Sequence, residues 1–251
     1  YRAAESIFMV KKEAKKVPES LQKLRSRIAA NEAARTEAKV QAEQYRAAAT
    51  QEALERSEKH LKDYVASQVL NQENQQSANE NRDFWVESEP KVILAIRIKG
   101  INRCPPKVRS ILKLFRLIQL HSAVLIKNNK ATKNMLKLVE PWITYGYPSR
   151  ETIQKLVYKR GFLKLNKDRI PLYDNAQIEK ELGKFKIVCA EDVVTELATC
   201  GPHFKEVNSL LWRYKLSSPK GGFSHKRTSY IQGGDWGNRE KKINNLVLRM
   251  L

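Results

Sequence analysis

The feature that most constrains this chain is a long segment, residues 19–89, that contains neither glycine nor proline. Ala, Glu, Gln, Lys and Arg dominate it, and these residues favour helix. A long helix is therefore predicted, with a break or linker in the Asn- and Gln-rich residues 71–81. Its apolar residues are too sparse to bury a broad face, so we expect it to lie across a partner. A solvated or partly disordered arm is the alternative, because isolated helices are marginal without packing.

Charge is distributed unevenly along the chain, with a boundary near Pro90. The formal net charge is +20. Residues 1–90 carry 15 basic and 15 acidic side chains, and residues 91–251 carry 32 and 12. Within the arm, residues 1–30 are net +5 and residues 31–90 are net −5. A compact protein so basic repels itself unless a polyanion neutralises it, so nucleic acid is the predicted partner.

Membrane association is the competing interpretation of this charge. No stretch approaches the roughly 18 consecutive apolar residues of a spanning helix, so we expect a soluble protein with no membrane partner. Cys104, Cys189 and Cys200 lie too far apart for a zinc motif or a disulfide framework, which favours reduced thiols in a cytosolic or nuclear protein. The chain starts at Tyr1 without an initiator methionine or a signal-peptide pattern, so we expect that some N-terminal residues are missing.

After Pro90, short apolar runs alternate with helical periodicity, which is typical of a compact α/β (α+β) unit. The predicted order is strand, helix, strand, helix, strand. Its segments are a strand at 92–98, a helix from Pro105 and Pro106, a strand at 123–126, a helix with Met135, Leu136 and Val139 inward, and a strand at 142–147.

The rest of the chain predicts a helical C-terminal addition. Helices are expected from Ser149 to Gly161, from Asp174 to Gly183, over 191–200 and around Phe204, Val207 and Leu211;. Residues 217–237, with five glycines, predict an extended basic loop before a last helix from Asn238. The predicted organisation is therefore a helical arm (1–90), an α/β RNA-binding domain (91–148) and a helical addition (149–251).

No constellation of residues predicts catalysis, a metal or a cofactor. The four histidines show neither HExxH spacing nor a metal-ligand arrangement with Cys or carboxylates;. The glycines near residue 220 lack the GxxxxGK[ST] spacing and the preceding strand of a nucleotide site. A non-catalytic protein with no small-molecule substrate is therefore predicted. The aromatic residues Trp142, Tyr145, Tyr147, Trp212 and Tyr214 are mostly expected in the core.

Basic residues interleaved with glycine, asparagine and aromatics are the recurrent signal. We name three patches by their sequences: the first, KGINRCPPKVR (99–109); the second, YKRGFLKLNKDR (158–169); and the third, PKGGFSHKRTSY (219–230). Free amides at a strand-to-helix turn, glycines that permit close approach and an aromatic ring for stacking all suit RNA. Solvated basic faces are the alternative for any one patch. The candidate RNA-binding residues are Lys99, Asn102, Arg103, Lys107, Arg109, Lys159, Arg160, Lys164, Lys167, Arg169, Lys220, Lys226, Arg227 and Arg239.

Several ordered blocks resemble one family. RIKGINRCPPKVRSILKLFRL (97–117) is similar to the opening of eukaryotic large-subunit ribosomal protein seven, the counterpart of bacterial and archaeal protein thirty. Further similar blocks are VEPWITYGYP (139–148), YKRG (158–161), DNAQIEKELGKF (174–185), SSPKGG (217–222), GGDWGNREKKIN (233–244) and, in the arm, VPES (17–20).

The resemblance implies a structural protein of the large ribosomal subunit that binds and stabilises folded rRNA, works on cytosolic ribosomes and passes through the nucleolus during assembly. A nucleolar assembly factor bound to pre-rRNA, similar to a paralogue in the same family, is the alternative. A nucleic-acid-modifying enzyme is a third class, for which the sequence supplies no acid, base or metal set. The family's N-terminal helix is usually strongly basic. The net charge of −5 over residues 31–90 therefore makes a neighbouring ribosomal protein the expected partner of the arm.

Overall fold

The computed structural model describes residues 18–86, 88–100, 102, 104–166 and 168–251. Contacts divide the chain into two units, residues up to Glu52 and Ala53–Leu251. The helices and strands are, in chain order, α1 (Glu19–Asn81), β1 (Val92–Arg97), α2 (Pro106–Leu114), β2 (Ser122–Lys127), α3 (Lys130–Val139), β3 (Ile143–Gly146), α4 (Arg150–Arg160), β4 (Phe162–Leu165), β5 (Asp168–Pro171), α5 (Asn175–Leu182), α6 (Ala190–Thr199), α7 (Phe204–Leu210), β6 (Tyr214–Lys215), β7 (Gly237–Asn238) and α8 (Ile243–Met250).

The long N-terminal helix is confirmed and extends further than predicted. α1 continues through residues 71–81, so the predicted break there is wrong. Glutamine is a good helix former, and asparagine lowers helix propensity far less than glycine or proline does. None of its 63 residues, all of which the structure describes, is buried. As expected from the scarcity of its apolar residues, α1 therefore buries no broad face.

The second half of α1 contacts the rest of its unit through polar side chains. His60 Nε2 lies 2.8 Å from Asp192 Oδ1, and Arg56 Nη1 lies 3.3 Å from Asp192 Oδ2. The guanidinium of Arg150 lies 5.5 Å from the centre of the Tyr64 ring. Arg56, His60 and Tyr64 are spaced four residues apart and lie on one face of α1, which these contacts join to the first turns of α4 and α6;. The arm was expected to lie across a partner, but this part of it contacts its own chain.

The predicted strand and helix order is confirmed, and the strands assemble around β1. The five-stranded sheet has the order β6-β2-β1-β3-β7. β1 pairs antiparallel with both neighbours, so that Leu94 faces Leu125 on one side and Gly146 on the other. β7 adds in parallel to β3 through Gly237 opposite Thr144. Residues far apart in sequence, in β6 and β7, therefore close both edges of the sheet.

Both faces of this sheet are covered, which explains why β1 is continuously apolar. Val92, Leu94 and Ile96 point into a core shared with α4 to α8, whereas Ile93 and Ala95 point into a second core shared with α2 and α3. Side chains alternate between the faces of a strand, so a strand covered on both sides is apolar at every position. All six residues of β1 are buried.

The helical addition follows the predicted boundaries with two differences. Ser149 caps α4 by accepting a hydrogen bond from the Thr152 N–H at 3.3 Å. The second patch folds into a two-stranded hairpin, β4 with β5, which was not predicted. The last helix begins at Ile243 rather than Asn238, because Asn238 belongs to β7 and its side chain accepts from the Glu240 N–H, a turn typical of asparagine. Residues 217–237 form a largely irregular loop, as expected, with one short 3-10 turn.

Candidate nucleic-acid interface

The first basic patch lies where β1 ends. The N–H groups of Ile98 and Lys99 both donate to the carbonyl of Trp142, at 3.0 and 3.3 Å, which turns the chain away from the sheet. Asn102, Lys107 and Arg109 are exposed. Pro105 and Pro106 begin α2, where proline costs no hydrogen bond. Arg103, the remaining predicted residue of this patch, lies outside the described residues.

The third basic patch forms a loop that is fixed at several points. Arg249 donates from Nε to the Lys220 carbonyl at 2.9 Å and from Nη2 to the Gly222 carbonyl at 2.8 Å. Trp236 Nε1 donates to the Arg227 carbonyl at 2.9 Å. Gly221 and Gly222 have φ values of +81° and +72°, which only glycine adopts without strain. The loop is thus held in one conformation while its lysines stay exposed.

The first and third patches meet at one end of the sheet. Lys99 lies near Arg227, and burial together with that like charge lowers the pKa of Lys99. His121, at the start of β2, packs its ring 5.9 Å from Phe223, and burial and the nearby Lys226 lower its pKa. The ammonium of Lys226 in turn lies 4.7 Å from the centre of the Phe223 ring. Like charges that the fold brings near each other cost energy unless an anion neutralises them.

A buried arginine increases the positive field at this end. Arg97 is 2% exposed, and its guanidinium donates to the carbonyls of Lys99, Leu117 and Ile118 at 2.8 Å each. Its Nη2 has no partner, and within the described part of the chain no carboxylate pairs with it. Burial lowers its pKa. Arginine stays charged nevertheless, so an uncompensated cation lies beneath the turn.

The second basic patch lies apart from this end, on the last turn of α4 and on the β4–β5 hairpin. Lys159, Lys164 and Arg169 are exposed, and the Arg169 guanidinium stacks 3.5 Å from the centre of the Phe162 ring. Arg160 is half-buried and donates from Nη2 to the Leu251 carbonyl at 2.8 Å. Lys167 lies outside the described residues. Three of the five predicted residues are therefore placed to meet a ligand.

Arg239 has an internal role in the structure. Its Nη2 lies 2.7 Å from Asp235 Oδ1, and its Nε donates to Thr144 Oγ1 at 2.9 Å. Both side chains of the ion pair are nearly buried, at 11% and 7% exposed. The pair ties the loop to β3. The third patch therefore depends on Arg239 for its position.

Some basic residues were missed because only the fold brings them to a patch. Lys215 is exposed on β6, opposite Ser122, and the Arg213 guanidinium lies 5.5 Å from the Trp212 ring centre. Both lie on the segment that joins the second patch to the third. The local signal was the alternation of basic and aromatic residues in WRYK (212–215). Of the aromatics expected in the core, Tyr214 is fully buried, and Trp142, Tyr145 and Tyr147 are partly buried against the second core.

The described residues contain no group of three or more His, Cys, Asp or Glu side chains arranged to hold a metal ion. Among the helices that the structure describes, none combines the length and the apolar character needed to cross a membrane.

Comparison with known proteins identifies the family. Residues 93–143 match the family model described as ribosomal protein L30p/L7e. The chain is 51% identical over 198 residues to "Large ribosomal subunit protein uL30" of Tetrahymena thermophila, which covers 79% of this chain and 83% of the relative. It is 50% identical over 195 residues to the protein of the same name from Dictyostelium discoideum, covering 78% and 79%. On this similarity the chain belongs to the L30p/L7e family of ribosomal proteins.

Proposed function

We propose that the protein is a structural, non-catalytic constituent of the large ribosomal subunit and that it binds and stabilises folded rRNA. The observation that carries the proposal is that the fold brings Lys99 of the first patch near Arg227 of the third, close to the buried Arg97 at the end of β1. The names of the relatives, which place those proteins in the large subunit, support the same assignment. The net charge of +20 favours a polyanionic partner such as rRNA;.

The proposed contacts divide into two kinds. Lysines and arginines bind phosphates and fix the orientation of the protein, without reading sequence. The glycines of the third patch allow the backbone to approach the RNA closely, and Phe223 offers a ring on which an unpaired base can stack. Arg239 and Arg160 are assigned to holding the fold. The proposed RNA-binding residues are Lys99, Asn102, Arg103, Lys107, Arg109, Lys159, Lys164, Lys167, Arg169, Lys220, Lys226 and Arg227.

In this proposal each part of the chain has its own role in the ribosome. Residues 91–148 supply the sheet and the first patch, residues 149–251 supply the other two patches, and the arm reaches neighbouring ribosomal proteins. The protein works on cytosolic ribosomes after passing through the nucleolus. The exposed apolar side chains on α1, among them Leu54 and Leu61 at 62% and 53% exposed, support a protein neighbour for the arm.

The proposal is tested by substituting the residues that meet at the end of the sheet. We expect the triple variant Lys99→Ala, Lys226→Ala, Arg227→Ala to bind large-subunit rRNA at least about tenfold more weakly, because three phosphate contacts are lost. The control, Lys130→Ala, Lys137→Ala, Lys180→Ala, removes the same charge from α3 and α5. Equal affinities for the two variants would refute the site. A polysome profile tests the role, because an assembly factor would be absent from translating ribosomes.

A further inference from the structure

A groove of about 480 Å³ lies beside β2, and none of the residues that line it belongs to the first or third patch. β6 pairs with β2 only at Ser122 and Ala123, so among the described residues no strand pairs with Val124 to Lys127 on that side. The end of α2, the hairpin strand β4 and the helix α7 supply the other walls. Four separate elements therefore frame one concave surface.

The floor of this groove is fixed by a network centred on Arg116. The guanidinium of Arg116 donates from Nη2 to Asn208 Oδ1 at 3.0 Å and from Nη1 to the Leu211 carbonyl at 3.1 Å. Asn208 Nδ2 donates to the Leu125 carbonyl at 3.1 Å. Arg116 has φ of +60°, a left-handed conformation that costs a non-glycine residue about 1 kcal/mol or more. The surrounding contacts hold it there.

The charge of the groove has one sign. Arg116, Lys127, Lys164 and Lys205 line it, and none of the lining residues that the structure describes is acidic. The partners of Arg116 are neutral, so its charge is not cancelled within the network. The larger cleft of about 920 Å³ beside the third patch differs, because Glu89, Asp235 and Glu240 line it together with its basic residues. The groove at β2 is therefore the better anion site of the two.

We propose that this groove is a second RNA-binding site, in which Lys127, Lys164 and Lys205 bind the phosphates of one RNA strand over the floor set by Arg116 and Asn208. The inference rests on the proposed function and extends it. An RNA strand carries one charge per nucleotide, so consecutive phosphates match lysines that line a groove. An acidic peptide could match the charge, but a peptide binds a sheet edge through backbone hydrogen bonds. On this edge the Leu125 carbonyl already accepts a hydrogen bond from Asn208, which disfavours addition of a peptide strand.

The first experiment measures the salt dependence of rRNA binding by the full chain. Each lost phosphate contact lowers the slope of log affinity against log salt by about 0.7 to 0.9. We expect the variant Lys127→Ala, Lys164→Ala, Lys205→Ala to lower that slope by about 2. The variant with Lys130, Lys137 and Lys180 changed to alanine is the control, and its slope should equal that of the unchanged protein. Thermal unfolding of all three proteins verifies that each is folded.

The outcomes separate this inference from the proposed function. If the unchanged protein shows no salt-dependent rRNA binding, the proposed function fails. If it binds but the groove variant keeps the same slope as the control, the groove site and the assignment of Lys164 to RNA are refuted, while the proposed function stands.

A second experiment identifies the class of the occupant. A photo-crosslinking amino acid replaces Ser209, an exposed residue in the wall of the groove, and the protein is crosslinked in assembled large subunits. Crosslinks to rRNA at a discrete position support the second site. Crosslinks confined to an acidic protein segment, or none at all, overturn it.

Discussion

Asp192 joins the arm to the rest of its unit, and replacing it with alanine tests how much that junction contributes. Its carboxylate accepts hydrogen bonds from the N–H groups of Val188 and Cys189 at 3.0 and 3.2 Å, where α6 begins. It also contacts His60 and Arg56 of α1. The side chain is only 9% exposed. One substitution therefore removes a helix cap and a contact between distant segments.

The expected loss of stability follows from these contacts. Loss of the acceptor at the start of α6 costs about 1 kcal/mol. The contact with His60 and Arg56 adds about 1 kcal/mol, because these side chains are 25% and 35% exposed and partly screened by solvent;. Asp192→Ala should therefore lower the free energy of unfolding by about 2 kcal/mol, which for a chain of this length lowers Tm by about 4–8 °C.

Thermal unfolding followed by circular dichroism measures the change in Tm, and hydrogen exchange measures how strongly the amides of the arm are protected. The matched control is Asp174→Ala, since Asp174 lies at the start of α5 but makes no capping hydrogen bond. In a background of Arg56→Ala and His60→Ala, the effect of Asp192→Ala should fall to about 1 kcal/mol, the part due to the cap. If Asp192→Ala shifts Tm no more than the control, or leaves amide exchange of residues 56–64 unchanged, Asp192 does not stabilise the contact between α1 and α6.

Three other predictions follow from the same structure. Burial of Asp192 raises the pKa of its carboxyl, but hydrogen bonds from His60, Val188 and Cys189 outweigh this effect and hold the pKa below its usual value. The stabilising effect of the carboxylate is therefore present above about pH 4 and is lost as pH falls through the lowered pKa. Urea unfolding between pH 2 and 7 should show the free energies of unfolding of the unchanged protein and of Asp192→Asn converging in acid. Arg239→Ala should lower the free energy of unfolding by about 3 kcal/mol by leaving Asp235 buried and unpaired, and the rRNA affinity of the folded fraction should also fall, because the loop of the third patch loses its attachment to β3. Affinity for rRNA should fall about 10³-fold or more between 50 and 200 mM salt, and a nearly flat titration would contradict the electrostatic account.

Much of the fold was predictable because its signals are local. The run 92–98 is apolar at nearly every position, which favours a buried strand, and Ser149 and Gly161 bracket α4 as capping residues do;. The hairpin of β4 and β5 was missed because lysines, two arginines and an asparagine dominate residues 158–169 and hide the alternation that places Leu163 inward. β6 and β7 have two residues each, and pairing with distant strands alone defines them.

The residue types of the candidate site were predictable from the sequence, but their arrangement in space was not. Patches of lysine and glycine are visible in the sequence, yet nothing local brings Lys99 near Arg227. Arg239 and Arg160 resembled RNA contacts until their partners, Asp235 and the Leu251 carbonyl, were placed. Lys127 and Lys205 belong to no basic run, and the groove that joins them to Lys164 exists only in the folded chain. Contact with the arm was missed because His60 and Arg56 are ordinary residues of a solvated helix.

The most direct test of the central claim is ultraviolet crosslinking of purified large subunits, followed by sequencing of the RNA attached to this protein and mass spectrometry of its crosslinked peptides. We expect discrete sites in large-subunit rRNA to be joined to residues 99–109 and 219–230, the two patches that meet at the end of the sheet. Absence of the protein from the subunits, or RNA crosslinks confined to segments outside the three patches and the groove beside β2, would contradict the proposed mode of binding.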